Sequence, residues 1–226
     1  MSWKSFIRGL QGDRTEGELI KTLFYSLLTS FLLLGILYLI KFRYIEQFMP
    51  KYGIALFFTA LSYAFIVATV RHVRAYREFG CMAGMMIGMA SGMMGFLPGF
   101  YVASTNGMFI GGFFGVFIGI VLGIWNGKCC GIMGILEGIM AGFMGGLMGA
   151  MTAFMLLNDN LKATSILVFI ISAIILSGLN YMIYLETKER ERERKEDQFM
   201  TLFITFILTA ITAYLIVFGP RSGLFT

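Results

Sequence analysis

Residues 80–155 constrain the fold more than any other stretch, because glycine recurs there at helical spacing through three successive apolar segments. Twenty of the 28 glycines fall in it. Gly80, Gly84, Gly88, Gly92, Gly95 and Gly99 recur every three or four residues. Gly107, Gly111, Gly115, Gly119, Gly123 and Gly127 recur every fourth, and Gly131, Gly134, Gly138, Gly142, Gly145 and Gly149 follow. That spacing lines up one face of a helix. In water each glycine would cost roughly 1 kcal/mol relative to alanine, so these would be poor helices. In a bilayer the backbone satisfies its hydrogen bonds internally, and a glycine face lets neighbouring helices approach closely. The pattern predicts three membrane helices packed as a glycine zipper, with Gly84, Gly88, Gly92, Gly111, Gly115, Gly119, Gly123, Gly138, Gly142, Gly145 and Gly149 at the helix contacts.

The rest of the chain fits the same class. It is 58% hydrophobic and 14% charged, and several apolar runs are long enough to cross a hydrocarbon core of about 30 Å. The fold expected is an all-α polytopic bundle of seven spans, with the glycine helices at its centre. Those spans are 19–40, 52–70, 80–103, 107–125, 131–157, 163–185 and 199–218, within one transmembrane domain over 19–219. Pro98 is expected to kink the third span or release it toward a turn at Ser104–Asn106. Residues 1–18 mix Trp3, Phe6, Ile7 and Leu10 with Lys4 and Arg8, as an amphipathic surface piece or a flexible cytosolic tail does. The first 19 residues are polar and charged and do not resemble a cleavable signal peptide.

Basic residues set the orientation. Lys4, Arg8, Arg14, Lys21, Arg71, Arg74, Arg77, Lys128, Lys188, Arg190, Arg192, Arg194 and Lys195 fall on one side, and Lys41, Arg43, Lys51, Lys162 and Arg221 on the other. The excess places the N-terminus in the cytoplasm and the C-terminus outside the cell membrane. The segment 186–198 continues the sixth helix into the cytosol with i,i+4 pairs such as Glu186–Arg190 and Glu191–Lys195, as a solvated connector or a docking site for a soluble partner. The net charge of +5 reports this orientation, so no nucleic-acid partner is expected. One histidine, and no legible nucleophile–base pair or cofactor motif, argue against an enzyme.

The chemistry rests on sulfur and one carboxylate. At about 100° per residue, Met133, Glu137, Met140, Met144, Met148, Met151 and Met155 share one face of the fifth span. Met82, Met85, Met86, Met89 and Met93 form a stripe on the third. Methionine fills irregular gaps in cores, and it is also a soft metal ligand. Cys81, Cys129 and Cys130 offer no even disulfide framework, and the topology gathers them as free thiols at the cytosolic face, with His72 at the inner end of the second span. Glu137 lies about 10 Å deeper than Cys130 at 1.5 Å per residue. An ionisable group in a span by default marks function; the other reading is a neutral carboxyl bonded to Asn106, Asn126 or Thr152.

Two functions follow. One is a transporter or permeation pathway for a small cation, with Cu(I) as the metal these donors suit and no other cofactor implied. Cys81, Cys129 and Cys130 would collect the ion, Glu137 would supply the charged ligand, and Met133, Met140, Met144 and Met148 the path. The other is a non-transporting assembly protein whose glycine faces hold a homo-oligomer or a partner membrane subunit. The lipid bilayer is a partner in both.

The run EGIMAGFMGGLMGAMTAFM, with the earlier GCMAGMMIGMASGMMG, resembles glycine- and methionine-rich multi-pass membrane proteins of bacteria whose activities are not established. The resemblance covers roughly the middle third of the chain. It implies a bacterial-type membrane protein in a soft-metal context and brings no functional residues with it.

Overall fold

The computed structural model describes residues 15–44, 48, 52–74, 81–128, 131–157, 160–187 and 198–220. Among these there are seven long α-helices and no strand. They are α1 (Thr15–Ile40), α2 (Ile54–Arg74), α3 (Cys81–Asn106), α4 (Met108–Gly127), α5 (Gly131–Met155), α6 (Leu161–Thr187) and α7 (Gln198–Phe218), with a short 3-10 turn at Phe42–Tyr44. All seven are long and apolar enough to cross a membrane. The chain is therefore an integral, multi-pass membrane protein, the all-α bundle the sequence predicts. The amphipathic N-terminal piece up to residue 14, and residues 188–197 of the charged extension, lie outside the described residues.

Side-chain pairs give the helix directions. Ser26 and Ser30 of α1 meet Thr205 and Thr209 of α7 in the same order, so these two helices run parallel. The start of α1 and the end of α7 therefore lie at opposite ends of the bundle. Along α2 and α6, Phe58 and Phe65 meet Phe169, and Thr69 and His72 meet Asn180 further on, so this pair is also parallel.

The three glycine helices pack on one another more closely than side chains would allow. In the antiparallel pair α4–α5, each step of four residues back along α4 matches a step of four forward along α5. Gly127 faces Gly134, Gly123 faces Gly138, Gly119 faces Gly142 and Gly115 faces Gly146. A Cβ on Gly119 would lie 2.6 Å from the Gly142 carbonyl oxygen, and one on Gly115 would lie 2.7 Å from the Gly99 Cα. Gly145 and Gly149, on a second side of α5, meet the Gly92 and Phe96 carbonyls of α3. Gly111 closes against Ala103, whereas Gly92 has space, the Ala141 oxygen lying 3.7 Å from its would-be Cβ. Gly84 lies in α3, but its surroundings fall outside the described residues.

Of the three, α3 takes the centre. It packs on α4 and α5 to one side and on α2, α6 and α7 to the other, while α5 packs chiefly on α3 and α4. In the most apolar stretch of α3, 72% is buried, against 22% for α5. Two sides of α5 carry glycine and the third carries bulky apolar groups, which places that third side on the outer surface. Pro98 neither ends nor releases α3, which continues to Asn106. The turn is made by Gly107, at φ 103, whose N–H donates to the Ala103 carbonyl at 3.1 Å and whose carbonyl accepts from Gly111 at 3.0 Å. One glycine thus closes α3 and opens α4, in a backbone region that disfavours side chains.

Candidate functional site

Glu137 is the one acidic residue within the seven apolar spans. It is half-buried at the seam between α3 and α5, where the absent side chain of Gly88 makes room for it. A Cβ on Gly88 would stand 3.3 Å from the Glu137 Cγ and 3.5 Å from its Oε1. The hydrogen-bond partners considered for a neutral carboxyl are engaged elsewhere in two cases. The Asn106 amide donates to the Leu215 carbonyl at 2.6 Å, and the Thr152 hydroxyl to the Met148 carbonyl at 2.8 Å. Asn126 is fully buried near the end of α4.

The methionines of α5 face outward. Met133, Met140, Met144 and Met148 are 74%, 62%, 54% and 63% exposed, so they lie on the surface of the single chain and not in its interior. Among the described residues, Met86 and Met94 of α3 are fully buried in the core. Cys81 is described only as the first residue of α3, and Cys129 and Cys130 lie outside the described residues. Among the described residues, no three His, Cys, Asp or Glu side chains gather as a metal site.

A second constellation sits at the end of α2. Arg71, His72 and Arg74 belong to its last turn, and each reaches a different helix. Arg71 Nη1 donates to the Thr22 hydroxyl of α1 at 3.0 Å. The Arg74 guanidinium lies 3.8 Å over the Trp125 ring of α4, and its Nη1 donates to the Trp125 carbonyl at 3.4 Å. That carbonyl belongs to the last turn of α4, where the helix dipole favours a cation. His72 Nδ1 lies 3.0 Å from the Asn180 carbonyl oxygen of α6.

The bonds around His72 have one consistent direction. The Thr69 hydroxyl donates to the Phe65 carbonyl at 2.9 Å, so it accepts from the Asn180 amide nitrogen at 3.1 Å. Asn180 then presents its carbonyl oxygen to His72, and Nδ1 must carry the proton. The lone pair of the neutral ring is therefore on Nε2.

A column of buried hydroxyls joins α1 to α7. Ser26 donates to Thr205 at 3.2 Å. Ser30 is 3.3 Å from Thr209, and it donates there because Thr209 gives its own proton to the Thr205 carbonyl. Rungs four residues apart are about 6 Å apart along the axis. Hydroxyl protons pass between oxygens about 2.8 Å apart, so the column joins helices and is not a proton wire.

The basic run predicts orientation and not the contacts of Arg71 and Arg74, and the buried hydroxyls are missing from the predicted site. The four-residue spacings Thr22–Ser26–Ser30 and Thr201–Thr205–Thr209 were the signal available for the latter. No family model, curated protein or solved structure matches this chain.

Proposed function

We propose that the protein moves a small cation across the membrane, that Cu(I) is the ion its donors suit, and that Glu137 is the charged group on the path. The observation that carries this reading is the position of Glu137, half-buried at the α3–α5 seam with Met133 and Met140 one turn before and after it. A carboxyl in a span costs a few kcal/mol on insertion scales, and packing alone does not require it. Thioether and thiolate sulfur are soft donors that hold Cu(I) better than hard cations. Because Met133, Met140, Met144 and Met148 lie on the outer surface, a sulfur-lined path on this reading runs between α5 and a second copy of the chain. Cys81, Cys129 and Cys130 collect the ion at the cytosolic end, with the N-terminus on that side and the C-terminus outside.

Uptake of Cu(I) under reducing conditions into liposomes holding the purified protein tests the proposal. Glu137→Gln keeps the size of the side chain and removes the anion, so uptake should fall steeply while folded yield stays level. Wild-type uptake in this variant removes Glu137 from the path, and no uptake by the unaltered protein overturns transport.

The outward face of α5 also suits the second reading, a non-transporting assembly protein. The glycine faces favour it less, since Gly115, Gly119, Gly123, Gly138, Gly142, Gly145 and Gly149 are taken up by contacts within the chain. Crosslinking from α5 to a different membrane subunit, in the absence of cation flux, is the result that selects it.

A further inference from the structure

Along α3 from Met86 to Ala103, every residue is buried except Gly88, Met89, Gly92, Met93 and Phe96. Two of these face α5. Gly88 lies against Glu137, and Gly92 against Ala141 and Gly145, so the two helices run parallel with Gly88 level with Glu137. Glu137, Ala141 and Gly145 are themselves only partly buried. Helix α4 closes the other side of this seam, where Gly95 and Gly99 of α3 and Gly142 and Gly146 of α5 are buried against it. The seam is therefore an open groove on the side away from α4, with Glu137 on its floor. Met89 follows Gly88 and is 40% exposed. Because the rest of α3 over this range is buried, Met89 stands on the α3 edge of the groove. On the α5 edge stands Met140, one turn after Glu137 and exposed. Helical side chains lean toward the N-terminus, which brings both thioethers back toward the level of Glu137.

We propose that Glu137, Met89 and Met140 form a binding site, within a single chain, for one soft monovalent cation, Cu(I). The site rests on the reading of Glu137 as the charged group of a cation path, and it adds α3 as the second wall. Three features point to that ligand. Among the described residues, no hydrogen-bond donor or basic side chain pairs with the Glu137 carboxyl, so nothing there offsets the cost of its charge in a span. The thioethers on the two edges are soft donors and bring no charge of their own. One carboxylate and one monovalent ion sum to zero, whereas a divalent ion would leave a net charge among apolar side chains, which is expensive. The set therefore selects Cu(I), or its stable analogue Ag(I), over Zn(II).

The test is equilibrium binding of Ag(I) to the purified full chain, with X-ray absorption counting the sulfur neighbours of the bound ion. Cys81→Ser, Cys129→Ser and Cys130→Ser together remove the competing thiols. This chain should hold one Ag(I) with two sulfur neighbours and prefer it to Zn(II), and Glu137→Gln should abolish the binding. Met89→Leu keeps an apolar side chain of similar size on an exposed edge, so the bundle should fold. It should lose one sulfur neighbour and at least about tenfold in affinity, since groups that merely hold a metal ligand in place are worth about 10–100-fold. Met155→Leu, on the same exposed face about five turns from Glu137, should change neither. Wild-type affinity in Met89→Leu overturns the α3 wall; if Glu137→Gln still loses binding, the reading of Glu137 as the charged group stands. One ion shared by two chains, or equal affinity for Zn(II), overturns the single-chain monovalent site. No Ag(I) bound overturns it too, and Cu(I) uptake by the unaltered protein then decides the transport reading separately.

Discussion

At the scale of single residues, His72 gives the sharpest test of the geometry, because the chain has no other histidine. A sample labelled with nitrogen-15 in histidine should show one imidazole with the proton on Nδ1 and a lone pair on Nε2 at neutral to basic pH. Equal populations of both tautomers would contradict the chain Phe65–Thr69–Asn180–His72. Asn180→Leu removes the acceptor and should release that preference. It should also cost about 1–3 kcal/mol in stability, because Thr69 and His72 each lose a buried bond. None of this was legible in the sequence, since the partner of His72 lies on α6 and nothing local marks it. Glu137 was legible, because a lone acid in an apolar span stands out by composition alone. Its seat against Gly88 was not: which glycine faces it depends on the register between α3 and α5.

At the scale of elements, four-residue spacing carries two different kinds of contact. Glycine spacing brings backbones together in α3, α4 and α5, and hydroxyl spacing joins α1 to α7. Gly119→Leu or Gly115→Leu should sharply lower folded yield and melting temperature in detergent, because a side chain there runs into the backbone of Gly142 or Gly99. Gly35→Leu should be tolerated, since nothing lies within 4 Å of its would-be Cβ. Overpacking a tight core costs roughly 1–3 kcal/mol, and contact with backbone pushes toward the upper end. The hydroxyl contacts are weaker. Interhelical polar bonds in membranes average about 0.6 kcal/mol, so Ser26→Ala with Ser30→Ala should cost roughly 1 kcal/mol and leave the bundle assembled. A loss comparable to Gly119→Leu would mean the column does more than join two helices. The glycine period was enough to predict the helices and their close packing. It was not enough to place α5 at the edge, because a helix with glycine on two sides looks the same in sequence whether its third side meets protein or lipid.

At the scale of the molecule, α3 joins two halves that hold together by different means. On one side are α4 and α5, bonded through bare backbone; on the other are α1, α2, α6 and α7, where aromatic stacking, hydroxyl pairs and the last turn of α2 make the contacts. The parallel course of α1 and α7 puts the start of α1 and the end of α7 at opposite ends of the bundle. Basic residues then assign the ends. Lys21, Arg71, Arg74 and Lys128 are at the end where α1 starts, and Lys41, Arg43 and Lys162 are at the other. Such an excess favours the cytoplasmic side. A reporter fused before Met1 should therefore read cytoplasmic, and one fused after Thr226 external. Both reporters on one side would contradict the parallel pairing of Ser26 with Thr205 and Ser30 with Thr209. Opposite sides with the two compartments exchanged would leave that pairing intact and overturn only the assignment from charge, so the two links are tested separately.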